Sequence, residues 1–139
     1  MTNSTDGKLE LLTDKNSVLV LVDFQPAMIR GVGSGDKTVI RAAAFGAAKA
    51  ASILGVPVVL STINPKHNGE FFPEIAKLFP NQEVFARKIP SFDAFEDEGT
   101  WNAFKKTDRR KMVVSGLWTS MCFAYTAIHA IKEGYEVYG

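Results

Sequence analysis

The feature that most constrains this fold is the run from Ser17 to Val22, SVLVLV, which ends directly at Asp23. The run does not alternate between apolar and polar residues, as a strand with one solvent-facing side does. It is therefore typical of a strand covered on both faces, the kind found in parallel sheets that carry helices on either side. Parallel neighbours need long crossover connections, which are usually helices, so we expect strands and helices to alternate along this chain.

The remaining sequence supports that alternation. A helix is predicted from Thr38 to Leu54, because Asp36 or Thr38 can cap its start and Gly55 suits its end. Further strands are predicted at 56–60, 83–86, 112–115 and 136–138, and further helices at 73–79, 97–106 and after 119. Right-handed crossovers then predict a three-layer α/β/α fold with a mainly parallel, Rossmann-like sheet in the order 3-2-1-4-5. Residues 17–139 form this single domain, and the polar residues 1–16, with Leu9, Leu11 and Leu12 as their only large apolar side chains, form an N-terminal arm.

The composition argues against several classes of function. Hydrophobic residues make up 46% of the chain and the formal net charge is only +1, which indicates neither disorder nor a nucleic-acid-binding surface. No apolar run approaches the roughly 20 residues that span a bilayer. A single cysteine cannot form an internal disulfide, and the start of the chain lacks the pattern of a signal peptide, so a reducing cytoplasm is expected. A small-molecule substrate or a protein partner is favoured over nucleic acid or membrane.

The single cysteine, Cys122, is the candidate nucleophile. It follows the predicted strand at 112–115, and a helix that Thr119 or Ser120 can cap and that Gly134 can end places it in the first helical turn. The free amides and the positive end of the helix dipole favour the thiolate there. The alternative interpretation is structural, because free cysteine often serves as a small buried hydrophobe.

Two charged residues are expected at the same edge of the sheet as Cys122. Asp23 directly follows a central strand, and in open α/β sheets ligands bind at the carboxyl ends of the strands. Its alternative role is to tighten a turn. Lys88 follows the third strand and is preferred to the adjacent Arg87 as the cation of the site. Burial raises the pKa of a carboxyl and a nearby cation lowers that of a thiol, so Asp23 is a candidate base for Cys122.

Other polar features are weaker candidates. Gly31, Gly33 and Gly35 are spaced GxGxG and begin eight residues after the strand, which does not fit a dinucleotide-binding fingerprint. His67 lies in a loop without a second ligand at metal-binding spacing, so no metal and no cofactor are predicted. His129 lies seven residues after Cys122, too far along a helix to be its base, and a core position is expected for it.

Three separated motifs, VLVLVDFQ, ARKIPSFDAF and VVSGLWTSMCFAYTAIHAIKEGYEVY, resemble the signature regions of the isochorismatase-like cysteine hydrolases, YcaC-like branch. The resemblance covers nearly all of residues 17–139 and implies a catalytic triad of Asp23, Lys88 and Cys122. It also implies a cis peptide at Leu117-Trp118, with the amides of Trp118 and Cys122 as an oxyanion hole. The substrate contacts expected within these motifs are Gln25, Trp118, Thr119 and Met121. Family domains continue with a sixth strand and closing helices, so the resemblance implies either that the chain is C-terminally incomplete or that a partner completes the edge of the sheet.

The preferred hypothesis is therefore cysteine-dependent hydrolysis of a small amide or related C–N bond. Its main rival is a catalytically silent oligomeric binding protein or a fragment of the same fold, and the third hypothesis is a nucleotide-binding, flavodoxin-like module. A homo-oligomer is also expected, because large exposed apolar patches mark interfaces. The aromatic residues on which that expectation rests are Trp101, Trp118, Phe123 and Tyr125.

Overall fold

A computed structural model describes residues 10–139 and contains a five-stranded sheet in the order β3-β2-β1-β4-β5. The strands are β1 (Ser17–Val22), β2 (Val58–Ile63), β3 (Val84–Arg87), β4 (Lys111–Gly116) and β5 (Glu136–Tyr138). Every neighbouring pair is parallel. The predicted fold class and strand order are confirmed, and the predicted strand bounds differ from the observed ones by up to three residues.

Helices cover both faces of this sheet. They are α1 (Pro26–Arg30), α2 (Lys37–Leu54), α3 (Pro65–Asn68), α4 (Pro73–Ala76), α5 (Glu98–Lys106) and α6 (Ala124–Lys132), with a 3₁₀ turn at Ala94–Glu96 and a π-helical turn at Thr119–Phe123. Helix α2 begins as predicted, because the Asp36 carboxylate accepts hydrogen bonds from the amides of Thr38 and Val39. It ends at Gly55, whose φ of 69° is the left-handed conformation that glycine adopts without strain.

Strand β1 explains why the sheet is enclosed. Val18, Val20 and Val22 contribute to a core cluster with residues of α5 and α6, whereas Leu19 and Leu21 pack into a second cluster with residues of α2 and α4. Successive side chains of a strand point to opposite faces, so a strand that lacks alternation fills both cores at once. Burial of each Val or Leu side chain is worth about 1.5–3 kcal/mol, which fixes β1 as the central strand.

Residues outside the core have a simpler structure. The part of the predicted arm that the structure describes, residues 10–16, contains a turn and no helix or strand, and Leu11 and Leu12 are exposed. The prediction for residues 1–9, including Leu9, lies outside the described residues. Within residues 10–139, no helix is long and apolar enough to cross a membrane.

Candidate active site

Asp23 stands at the carboxyl end of β1 in an unusual backbone conformation. Its φ is 60°, in the left-handed region, where non-glycine residues are uncommon and cost roughly 1–3 kcal/mol. Its amide donates to the carbonyl of Ser61 at 2.9 Å, which ties it to β2. Its side chain is fully buried. Backbone strain at a buried carboxylate is a feature that the surrounding fold must maintain, and such residues concentrate at functional sites.

Arg87 neutralises the Asp23 carboxylate. Its Nη1 and Nη2 donate to Oδ1 and Oδ2 of Asp23 at 2.7 and 2.9 Å, and the two side chains are 0% and 1% exposed. Arg87 lies on β3, so its side chain must cross β2 to reach β1. It does so over Ser61, whose hydroxyl accepts from Nη1 at 3.1 Å, and Nη2 also donates to the Ser91 carbonyl at 3.0 Å. Arginine suits this position because its planar guanidinium binds a carboxylate with two parallel hydrogen bonds.

The structure does not place the Lys88 side chain beside Asp23 and Cys122, so the expected convergence of these three residues is wrong. Lys88 is exposed and lines a separate surface groove with Asp97 and Asn102. Strand β3 ends at Arg87, whose side chain reaches across β2, whereas Lys88 lies in the bend that follows the strand. The sequence signals for Arg87 are the small Ser61 on the intervening strand and the preference of carboxylates for the guanidinium fork.

The turn that carries Cys122 also differs from the prediction. Neither Thr119 nor Ser120 caps a helix there: the N-cap position is Trp118, whose side chain makes no capping hydrogen bond, and Cys122 lies inside the π-helical turn rather than in the first turn of α6. Gly116 allows this turn to approach β4, because a Cβ there would lie 3.3 Å from the amide nitrogen of Phe123.

The backbone before Cys122 contains a second difference. No cis peptide bond occurs among residues 10–139, so the cis bond expected at Leu117-Trp118 is absent. The oxyanion hole formed by the amides of Trp118 and Cys122 stays a prediction.

Cys122 is completely buried, and its surroundings favour the thiol rather than the thiolate. Burial raises the pKa of Cys122 most, and the negative charge of the nearby Asp23 carboxylate raises it further. Arg87 acts in the opposite direction, because its positive charge lowers the pKa of the thiol. The prediction that the helix start favours a resting thiolate is therefore wrong. The charges of Asp23 and Arg87 both reach the Cys122 thiol, and the catalytic roles of Asp23 and Cys122 stay predictions.

Gln25, a predicted substrate contact, is committed to the protein backbone. It is fully buried, its Nε2 donates to the carbonyls of Ile63 at 3.1 Å and Gly69 at 2.7 Å, and its Oε1 accepts from the amide of Ile63 at 2.9 Å. These hydrogen bonds hold the segment after β1 against the end of β2. Gln25 therefore holds the loop in place, and its amide has no group directed at a substrate.

The other predicted substrate contacts, Trp118, Thr119 and Met121, line an open groove of about 730 Å³ beside Cys122. The Trp118 indole Nε1 donates to the carbonyl of Met28 at 2.9 Å, and the ring rests on Gly31, where a Cβ would lie 2.8 Å from it. Among the described residues, 10–139, no ionisable side chain lines the groove. Its lining residues are Gly31, Val32, Gly33, Ser34, Leu117, Trp118, Thr119, Ser120, Met121, Phe123 and Ala124.

The histidines lie away from this centre. His67 is exposed in α3, whereas His129 is partly buried, with its Nδ1 2.7 Å from Oδ2 of Asp93, and packs against Phe95 and Trp101. Within the described residues, no three His, Cys, Asp or Glu side chains are grouped as metal ligands would be. A mechanism without metal stays a prediction.

Known proteins resemble this chain over most of its length. Residues 17–139 match the Isochorismatase domain. The probable hydrolase YcaC of Escherichia coli strain K12 is 28% identical over 127 residues, which are 90% of this chain and 61% of that protein.

Solved structures give the same picture. The crystal structure of the E. coli YcaC gene product, an octameric hydrolase of unknown specificity, has a TM-score of 0.88 at 26% identity, covering 94% of this chain and 64% of that one. YcaC from Pseudomonas aeruginosa, solved with hexane-2,5-diol and covalent acrylamide, has a TM-score of 0.89 at 24% identity and the same coverage. The chain thus spans less than two thirds of the length of these relatives.

Proposed function

The chain belongs to the isochorismatase family, and from that premise we propose that it is a cysteine-dependent hydrolase of a small amide or related C–N bond. Cys122 is the nucleophile, Asp23 is the base and Arg87 is the cation that we assign in place of Lys88. One observation carries the proposal: a buried carboxylate, held by two hydrogen bonds from Arg87, lies close enough to the only cysteine of the chain for its charge to raise the pKa of the thiol.

Chemistry at this site begins from the thiol. As Sγ of Cys122 attacks the carbonyl carbon, its proton passes to Asp23, and the carbonyl oxygen takes up the negative charge. When the C–N bond breaks, the proton of Asp23 goes to the leaving nitrogen, which leaves a thioester on Cys122. Water then attacks the thioester with Asp23 as base, the C–S bond breaks, and the thiol regains its proton. A base in contact with the nucleophile is required because a free thiol is only a few per cent thiolate at neutral pH.

The groove beside Cys122 supports an uncharged substrate. A charged group inside it would lose hydration without gaining a partner of opposite charge, and an unpaired ion is costly to bury. Val32, Leu117 and Met121 suit an apolar substituent, and the hydroxyls of Thr119 and Ser120 suit an amide. Trp118 closes one side of the groove against Gly31.

The rival proposal is a catalytically silent binding protein of the same fold. The complete burial of Cys122 and the upward direction of its pKa favour this alternative. A substrate reaches Sγ only if the π-helical turn or the segment around Gly31 moves.

Turnover of neutral aliphatic and aromatic amides, nitriles and carbamates tests the proposal. We expect release of ammonia or amine that Cys122→Ala abolishes and that Asp23→Asn lowers by about 10²- to 10⁴-fold. Lys88→Met is the matched control for Arg87→Met, and only the Arg87 variant is expected to lose activity. Mass spectrometry of protein treated with acrylamide, the reagent bound covalently in the P. aeruginosa structure, reports whether Cys122 reacts at all. Binding of these compounds without turnover or labelling of Cys122 would favour the silent binder.

The proposal extends to assembly and compartment. The E. coli relative is octameric, and α6 of this chain presents Tyr125, Ile128 and Ile131, each more than half exposed, on one side. We propose a homo-oligomer in a reducing cytoplasm, where a free thiol persists. Sedimentation at micromolar concentration tests the assembly, and a monomer there would contradict it.

A further inference from the structure

Two buried hydroxyl groups connect the Arg87 guanidinium to a second carboxylate on the far side from Asp23. Ser61 and Thr100 are both fully buried. The Ser61 Oγ accepts from Nη1 of Arg87 at 3.1 Å and lies 3.4 Å from Oγ1 of Thr100. Thr100 Oγ1 in turn donates to Oδ2 of Asp97 at 3.0 Å. The four residues form a continuous chain of polar contacts from β3, across β2, to the start of α5.

The direction of the hydrogen bonds in this chain follows from the chemistry of its two ends. A guanidinium only donates and a carboxylate only accepts. Ser61 therefore accepts from Arg87 and Thr100 donates to Asp97, which leaves the single hydroxyl proton of Ser61 with two acceptors at 3.4 Å, the Thr100 oxygen and the Phe85 carbonyl. When the Thr100 oxygen takes this proton, the hydrogen bonds all run in one direction. Hydrogen bonds aligned in this way polarise one another, and the low dielectric of the interior strengthens them.

The charge state of Asp97 supports this arrangement. Burial acts to raise the pKa of Asp97, but the amide and hydroxyl of Thr100, the amide of Lys88 and the charge of Arg87 outweigh it, so the pKa is lowered. Asp97 is also the N-cap of α5, where its Oδ2 accepts from the amide of Thr100 at 2.9 Å. The Asp97 carboxylate, fixed at the start of this helix, is thus the final acceptor in the series of hydrogen bonds that begins at Arg87.

We propose that Thr100 is a positioning residue, which holds Ser61 so that it accepts from Arg87 and thereby keeps the guanidinium in place during the reaction. The proposal rests on the function proposed above. When Asp23 takes the proton of Cys122, the direct ion pair loses its negative partner, and the contacts that still hold Arg87 are Ser61 and the Ser91 carbonyl. Among residues 10–139, Nε of Arg87 is the only buried side-chain nitrogen or oxygen without a partner. The guanidinium therefore has no hydrogen bond through Nε that could help to hold it when the ion pair is lost.

The rate of acrylamide addition to Cys122, measured in the full chain between pH 7 and 10, tests this role. Thr100→Val removes the hydroxyl and keeps the shape. We expect a rate about three- to tenfold lower at pH 8, because a displaced Arg87 stabilises the thiolate less. Thr100→Ser keeps the hydroxyl and is expected to react like the parent chain. The direction of the change in labelling rate separates a positioning role from a loosened core, because loosened packing would expose Cys122 and make labelling faster.

Two further variants complete the test. Thr107→Val removes another hydroxyl of the α5 region, one that bonds only to the Phe104 carbonyl at 2.8 Å, and it is expected to label at the parent rate. Asp97→Asn keeps a good N-cap residue but removes the charge, and we expect labelling about two- to threefold slower. It also serves if Thr100→Val does not fold. An unchanged or faster rate in Thr100→Val, or equal slowing in Thr107→Val, overturns the proposal.

A second measurement keeps this inference separate from the proposed function. If Cys122 of the parent chain does not react, the proposed function fails, and NMR of the Arg87 Nη protons then decides the role of Thr100. We expect separate Nη signals, which indicate hindered rotation, in the parent chain and in Thr100→Ser, and averaged signals in Thr100→Val. Identical Nη spectra in all three proteins would contradict the positioning role whatever the activity.

Discussion

Each end of the sheet holds a charged pair, and the two pairs differ in how completely they are buried and in how well the fold compensates their charges. At the carboxyl end, Asp23 and Arg87 are both almost completely enclosed. At the amino end, Lys111 opens β4 and pairs with Glu136, its register partner on β5. Lys111 is 2% exposed, but Glu136 is 36% exposed and thus remains partly hydrated.

The pair of Asp23 and Arg87 has two energetically unfavourable features that the pair of Lys111 and Glu136 lacks. Asp23 has a left-handed backbone and Arg87 has an unpaired Nε, whereas Lys111 lies in a regular strand and also contacts Glu10 and the Tyr138 hydroxyl. A buried donor without a partner costs about 1–3 kcal/mol. A purely structural pair would gain nothing from these two costs, and the comparison therefore supports the proposal that the functional site lies at the Asp23 end.

Removing Arg87 is expected to have the largest effect on stability. Arg87→Met leaves the Asp23 carboxylate buried and unpaired, which is expected to lower the free energy of unfolding by about 3–5 kcal/mol. Lys88→Met, at the neighbouring exposed position, is expected to change it by no more than about 0.5 kcal/mol. Urea denaturation measures both. Equal effects at the two positions would break the distinction between Arg87 and Lys88.

Removing both charges at the carboxyl end is expected to cost less than removing one. The double variant Asp23→Asn/Arg87→Met has no unpaired ion, so we expect it to recover about 1–3 kcal/mol relative to Arg87→Met. The measurement is a double-mutant cycle by urea denaturation. Additive losses would mean that the two side chains act independently, against the geometry of the pair.

The sequence predicted the sheet well because its signals are local. A run such as that from Ser17 to Val22 records its double burial in its own residues, and right-handed crossovers restrict the order of the strands. The position of Asp23 followed from the same run, since the end of a strand is visible in sequence.

The partner of Asp23 was not predictable in the same way. The choice between Arg87 and Lys88 depends on which side chain crosses β2, and that is decided by a strand contributed from elsewhere in the chain. The protonation of Cys122 was missed for a related reason, because its pKa is set by burial and by Asp23, about a hundred residues away. The π-helical turn has no known local signature comparable with a capping serine.

The charge state of Cys122 is expected to make stability depend on alkaline pH. Its folded-state pKa is raised, so the unfolded chain loses the thiol proton near its ordinary pKa of about 8.5 while the folded chain keeps it. Stability conferred by this group is fully present below that pH and falls above it, with a slope approaching about 1.4 kcal/mol per pH unit. Denaturation of the parent chain and Cys122→Ala between pH 7.5 and 10 measures the difference. Parallel curves would contradict the raised pKa.

The smallest effect is expected at the amino end, from Lys111 and Glu136. The hydrogen bond with Glu136 raises the pKa of Lys111, and the same hydrogen bond lowers the pKa of Glu136. The contribution of Glu136 is present above its unfolded pKa of about 4.3 and is lost as the pH falls through its folded value. The contribution of Lys111 is present below about 10.4 and is lost as the pH rises through its folded value.

Lys111→Met should therefore destabilise the chain less than Arg87→Met does, and most strongly between about pH 5 and 10, where both groups of the parent pair are charged. Tyr138→Phe removes the hydroxyl that contacts both Lys111 and Glu136 but leaves their two charges in place, and is the matched control. Thermal unfolding of the three proteins across that range measures the difference. Because Glu136 stays partly hydrated, its carboxylate is not stranded when Lys111 is lost. A loss as large as that of Arg87→Met would show that both ends hold their charges at equal cost, and the contrast between the two ends would then no longer support the proposed site.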